Sequence, residues 1–352
     1  CERTTPLDQT HIAGALGQAV FATDHIVIDR RVAANPQRNA YFGDLHVHTT
    51  YSFDAYAFGT LATPYDAYRF AQGEAIKHPS GYDMQLSEPL DFYGVTDHGT
   101  FLGQVGEAAT PGNPFYDAPS SFQVNDINSP ENLNISTYNQ RREAFGGFLA
   151  NTIRALAEQK LDIRYADRVS RDAWAETVAA AQRHNNPGTF TTFIAYEYTA
   201  STPQMGNLHR NVIFNSSDAP IRPWTRIDSI NPEDLWTWMD GLRDQGVDSL
   251  AMPHNSNGSN GQMFEVETFR GSAISKEYSE KRMRNEPVVE ITQIKGTSDT
   301  HPLLSPDDEW ADFEIMDKRV GSRPPTYSMP QGGYVRDAFL RGLTLEWKGQ
   351  GN

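Results

Sequence analysis

Cysteine is nearly missing from this chain: Cys1 is the only one. That excludes an intramolecular disulfide and any zinc site built from thiolates. A basic surplus is missing too. Lys and Arg number 30 against 45 Asp and Glu, a formal charge of −15, and no Lys/Arg stripe stands out. Gripping a phosphate backbone needs a cationic footprint, so no nucleic-acid partner is expected. No apolar run approaches the roughly 18 residues of a membrane helix. There is no Gly-rich phosphate loop, no internal repeat and no clear linker.

What is present is enough for a substantial core. The chain has 352 residues, 38% of them hydrophobic and 11% aromatic, ample for one large domain. A chain that begins at cysteine matches a bacterial lipoprotein cleaved just before the residue that becomes lipidated. A cut at an arbitrary point would look the same. The expectation is a cell-envelope protein, periplasmic or tethered to the membrane through a lipidated Cys1. Residues 1–38 are polar and irregular and read as an arm or tether. Residues 39–352 read as the working domain.

The densest chemical signal is Gly43-Asp44-Leu45-His46-Val47-His48-Thr49-Thr50-Tyr51-Ser52-Phe53-Asp54. Side chains at i and i+2 of a strand share a face, so His46 and His48 present two imidazoles side by side. That suits one divalent ion, and Asp54 can swing back from the next loop as an oxygen ligand. Downstream, Thr63 and Pro64 read as the cap and first turn of a helix, and 75–88 as loop. Leu90 to Gly99 is a strand ending in Asp97-His98-Gly99, with His98 the expected ligand and Asp97 a ligand or its support. Residues 104–133 form a long excursion rich in Pro, Gly, Asn and Ser. Helices are predicted over Arg141–Ala157 and Ser170–His184, with Ser170 as N-cap, Trp174, Val178 and Ala181 on the buried face, and His184 structural.

Gly188 to Thr199 is a strand of β-branched and aromatic residues with Glu197 at its far end. A short strand from Asn207 to Phe214 places His209 and Asn211 on one face and Arg210 on the other. Asn231-Pro232 opens a helix whose acids fill the first turn. Asp248 to Asn255 is a strand ending at His254. Pro287 to Ile294 reads as one more strand, 295–301 as loop, and Tyr334 to Leu340 as the start of a closing helix. Strands and helices alternate, which argues α/β with a parallel sheet or a barrel, and a large insertion near 104–187.

Strand ends and starts thus collect His46, His48, Asp54, His98, Glu197, His209 and His254. Histidines and carboxylates without cysteine suit a polynuclear hydrolytic site. Two adjacent divalent ions generate hydroxide at neutral pH and clamp the oxygens of an ester.

The order His-x-His-Thr, Asp-His-Gly, then Glu, His and His resembles the PHP (polymerase and histidinol phosphatase) superfamily. More narrowly, Tyr41 to Thr49 and Ser52-Phe53-Asp54-Ala55 resemble domain-of-unknown-function family 3604, a group of bacterial PHP-like proteins. Gln293 to Ser298, His301-Pro302, Leu304-Ser305-Pro306 and Tyr334 to Ala338 extend the match. The resemblance implies a distorted (β/α) barrel and two or three divalent ions of Zn, Mn or Fe. His46 and His48 would hold the first ion, Glu197 would bridge to a second completed by His209 and His254, and Asp54 and His98 would hold the third.

The superfamily also needs a late Asp-x-His at the end of a further strand. Here Asp299-Thr300-His301 follows Glu290 by only nine residues. Either Asp299 and His301 substitute, or the chain lacks that last strand; the second is the expectation. The activity implied is that of a phosphoesterase, a hydrolase in which a metal-bridging hydroxide attacks a small-molecule phosphate ester. The alternatives are an amidohydrolase-like enzyme on a non-phosphate substrate, and a non-catalytic secreted binding protein with a structural metal site. No residue is singled out as the general acid.

Overall fold

The computed structural model describes residues 35–350 apart from 119, 122–123, 134–137, 203, 205 and 320–323. Cys1 and most of the expected 1–38 arm lie outside the described residues. No helix among those described is long and apolar enough to cross a membrane.

The strands are β1 (Gly43–Val47), β2 (Ile76–Lys77), β3 (Asp83–Met84), β4 (Phe92–Val95), β5 (Thr191–Tyr198), β6 (Arg210–Phe214), β7 (Ser249–Pro253), β8 (Thr292–Gln293) and β9 (Gly296–Thr297). The helices are α1 (Phe53–Ala57), α2 (Pro64–Ala71), α3 (Gln104–Ala109), α4 (Tyr138–Ala157), α5 (Ile163–His184), α6 (Pro232–Arg243), α7 (Lys276–Asn285) and α8 (Val335–Trp347). The fold is mixed α/β. Its central sheet runs β1-β4-β5-β6-β7, while β2-β3 and β8-β9 are separate antiparallel pairs. The β2-β3 pair occupies part of the segment expected as loop.

Strand direction decides where the polar ends go. β1, β4 and β5 are parallel, so their C-terminal ends share one edge of the sheet. β6 is antiparallel to β5, and β7 antiparallel to β6. The start of β6 and the end of β7 therefore reach that same edge. Alternation within β5 sends Ile194, Tyr196 and Tyr198 into the core that joins the sheet to α2, α5 and α6, and Glu197 to the opposite face.

The sheet is bent hard. At about 4.8 Å per strand spacing, β1 and β7 would lie roughly 19 Å apart in a flat sheet. Yet Asn211 Nδ2 on β6 donates to Leu45 O on β1 at 2.9 Å, and the rings of His46 and His254 are 4.2 Å apart. The five strands form a trough whose rims nearly meet. The expected closed barrel is not formed among the described residues. Pro287 to Ile294, read as a further strand, contributes only Thr292 and Gln293 to the small β8-β9 pair. Val288, Ile291 and Ile294 are exposed; their β-propensity finds no neighbouring strand to pack on.

Caps fix the helices. Thr63 and Asp66 form a reciprocal capping box at α2, and Asn231 accepts from the Glu233 N–H at α6. The expectation that Ser170 caps a helix is corrected: the cap of α5 lies eight residues earlier, at Asp162, which accepts from the N–H groups of Arg164 and Tyr165. Ser170 sits inside that helix, its hydroxyl donating to Leu102 O. Trp174 is buried on the α5 face, with Nε1 donating to Pro220 O. His184 bonds the Gln72 side chain and stacks on Tyr68. A second apolar cluster joins α1, α3, α4 and the start of α5, and it buttresses the element that carries Asp54.

Candidate metal centre

Glu197 is the hub. It is 1% exposed, and each of its oxygens faces imidazoles. Oε1 lies 2.7 Å from His209 Nδ1 and 3.0 Å from His98 Nδ1. Oε2 lies 3.3 Å from His48 Nε2 and 3.6 Å from the Nε2 atoms of both His46 and His254. His98 Nε2 is 3.1 Å from Asp54 Oδ2. The sequence-predicted residues His46, His48, Asp54, His98, Glu197, His209 and His254 are thus brought together at the edge where the strands converge.

Each side chain is braced. His46, near the end of β1, and His48, just after it, are two residues apart and share a face. Phe53, buried at the start of α1, stacks on the His98 ring at 4.6 Å, and the His98 N–H donates to Ser52 Oγ at 2.9 Å. Thr199 Oγ1 lies 2.5 Å from His98 Nδ1 and donates to Glu197 Oε1 at 3.1 Å. The His254 N–H donates to His209 O at 3.3 Å. Asp97 acts on the turn rather than as a ligand. Its buried carboxylate accepts from the Thr49 N–H and the Thr49 hydroxyl, both at 2.6 Å, and so fixes the chain just after His48.

The charges are set by burial and by each other. Burial pushes the Glu197 carboxyl up, but His98, His209 and His254 more than reverse this and hold it well below the usual range. Burial pushes His98 down, while Glu197 and Asp54 raise it to about 10. His46 is likewise opposed by burial, yet Glu197 and Glu290 raise it to about 9. His209 and His254 are driven down by burial, which favours the neutral form that a Lewis acid needs.

Three groups have ligand atoms within 4.8 Å of one another: His46, His48 and Glu197; His48, Asp54 and His98; Glu197, His209 and His254. The donor chemistry fits divalent ions, being imidazole nitrogen and carboxylate oxygen without thiolate. Two nitrogens support the fit: His48 Nε2 and His254 Nδ1 are buried with no hydrogen-bond partner among the described residues. A buried nitrogen without a partner is costly, and a metal ion would meet that need at His48 Nε2, which faces Glu197.

The chain matches the protein family of unknown function DUF3604 over residues 35–352. The chain is a DUF3604 protein. No curated protein and no solved structure matches it.

In this DUF3604 chain the late family-like text reinforces the centre from behind. The β8-β9 hairpin is stapled to the loop after His254: Gln293 Nε2 donates to Asn255 Oδ1, Asn257 Nδ2 to Lys295 O, and Ser298 Oγ to Asn257 Oδ1. The alternative in which Asp299 and His301 substitute for the late Asp-x-His finds no support among the described residues. Asp299 Oδ2 is bonded to Arg336 Nη2 at 2.6 Å. His301 turns towards the Tyr334 ring and accepts from the Leu303 N–H. Neither joins any of the three donor groups.

Sequence reasoning missed Glu290. Its Oε2 lies 2.7 Å from His46 Nδ1. Nothing local marks it, because the contact spans 244 positions and the surrounding segment has no side-chain period.

Proposed function

We propose that this protein is a metal-dependent hydrolase of PHP superfamily type, acting on phosphate esters. The observation that carries the reading is ligand sharing. Glu197 belongs to two of the donor groups and His48 to two, so neighbouring sites are linked through common residues. A carboxylate whose two oxygens face different sets of imidazoles is built to bridge. Linked sites of this kind serve hydrolysis rather than a single structural ion, which closes its own coordination shell.

Bound divalent ions would lower the pKa of a water and offset the charge that grows on phosphoryl oxygens. The chain's own residues prepare for them. Glu197 stays ionised, His209 and His254 stay neutral, and Asp97 and Thr199 hold the framework in place. Lys295, on the hairpin stapled beside His254, carries a positive charge that is felt at His209. That charge favours an anionic ester, and bound ions would reverse the field of an acidic protein within the cleft.

The test uses the full-length protein. Metal content is measured, then turnover of p-nitrophenyl phosphate and its diester is assayed beside a lactone and an amide, with and without chelator. Phosphate-ester turnover that chelator abolishes and added ion restores supports the reading. Turnover indifferent to chelator rejects it. Chelator-sensitive turnover of the lactone or amide alone moves the protein to an amidohydrolase-like class. Tightly held metal with no turnover of any of these moves it to a binding protein.

A further inference from the structure

Glu290 touches both rims of the trough. Its N–H donates to the carbonyl of Pro253, the last residue of β7, at 3.0 Å. Its side-chain Oε2 meets Nδ1 of His46 on β1 at 2.7 Å. β1 and β7 are the outer strands of the sheet, so one residue links them across the gap that no described strand fills. An ionised carboxylate only accepts hydrogen bonds. The proton it shares with His46 therefore sits on Nδ1, so that in the neutral ring the Nε2 lone pair faces Glu197, 3.6 Å from Oε2.

We propose that Glu290 is the positioning residue of the metal centre: it selects the His46 tautomer that can ligate, strengthens that nitrogen as a donor, and ties it to the His254 rim. The inference rests on the metal-site reading above. A carboxylate behind a ligating imidazole fixes ring orientation and raises ligand basicity. The second oxygen, Oε1, is buried with no hydrogen-bond partner among the described residues, so the carboxylate is not held there for the sake of packing or a wider polar network.

The test compares the full-length protein with Glu290→Ala, Glu290→Gln and His46→Ala. Zinc and cobalt(II) are the probes. Affinity is read by competition with a chromophoric chelator, and the visible absorption of the cobalt form is recorded. His46→Ala should lose one ion. Glu290→Ala should weaken binding roughly 10–100-fold, the usual effect of removing such a partner. Glu290→Gln keeps an acceptor for Nδ1, so it should retain the ion with smaller loss, while the cobalt bands shift because His46 has become a weaker donor. Melting of the ion-free variants separates a folding defect from a binding one.

If His46→Ala leaves metal binding unchanged, the metal-site reading fails. If His46→Ala loses an ion but Glu290→Ala binds as the parent does, only the role of Glu290 fails. Weakened binding in Glu290→Ala with unshifted cobalt bands in Glu290→Gln also overturns it, since a purely structural brace leaves the donor strength of His46 untouched.

Discussion

The His46 and His254 rings lie 4.2 Å apart although their strands form opposite rims of the sheet. Both Nε2 atoms face the same oxygen of Glu197, at 3.6 Å from each. Glu197→Gln should therefore do more than lower charge. It removes the only carboxylate common to two donor groups, and the loss in affinity should exceed roughly 100-fold, the upper end of what outer partners cost. Metal analysis after dialysis checks this: an unchanged metal content would contradict the bridging role.

Loading the centre should release protons. His46 is raised to about 9 and His98 to about 10, so both are charged at pH 8 in the ion-free protein. Ligating imidazole must be neutral. Calorimetry in buffers of different ionisation enthalpy should show about one to two protons leaving, and apparent affinity should climb as pH rises towards 9–10. The sign for ion-free stability is the reverse. Raised histidine pKa values stabilise the fold fully below the unfolded value of about 6.5. That contribution is lost as pH rises through about 9–10. Affinity that is flat from pH 7 to 9 would refute the assignment.

Behind the centre, Arg210 and Glu286 form a buried pair at 2.6 Å, both side chains 2% exposed. Glu286 also accepts from Trp236 Nε1 and Arg282 Nε. Glu286→Ala leaves a buried guanidinium unpaired and should cost about 3–5 kcal/mol. Burial pushes this carboxyl up, but Arg210 and Arg282 hold it below its ordinary value. The stabilisation is thus present above about pH 4.3 and is lost as pH falls through the lower folded value. Urea titrations of the parent and Glu286→Gln should draw together as pH falls from about 4.3 through that lower folded value; a constant gap would disprove the linkage.

Gly43 tests the β1-β4 approach. A Cβ there would overlap Phe92 O and the Phe92 ring, so Gly43→Ala must lift β1 away from β4. A loss of about 1–3 kcal/mol is expected, as for other overpacked sites, with weaker metal binding because His46 and His48 ride on that strand. Thermal melts and chelator competition should change together. Full metal affinity in a destabilised variant would show that the strand's position does not set the site.

Much of the site was legible because strands write their faces in a period of two. His46 and His48 announce themselves, and Asp97-His98, Glu197 and His254 each close an apolar run. Thr63-Pro64 and Asn231-Pro232 were legible because caps are local chemistry. Ser170 misled because a good capping residue can sit inside a helix when Asp162 caps earlier. Pro287 to Ile294 misled because β-branched content marks fitness for a sheet, not the presence of a partner strand. Closure of the sheet and the role of Glu290 depend on contacts between distant segments, which no window along the chain contains.

A pocket made by bending five strands, rather than by completing a ring, behaves like a calliper. The gap between its jaws follows the curvature, and helices pack on the far side through Tyr68, Trp174 and Leu235. The radius of a bound ion would thereby be matched from a distance. Exchanges of bulk among those core residues would retune which cation is preferred while every donor atom stays the same.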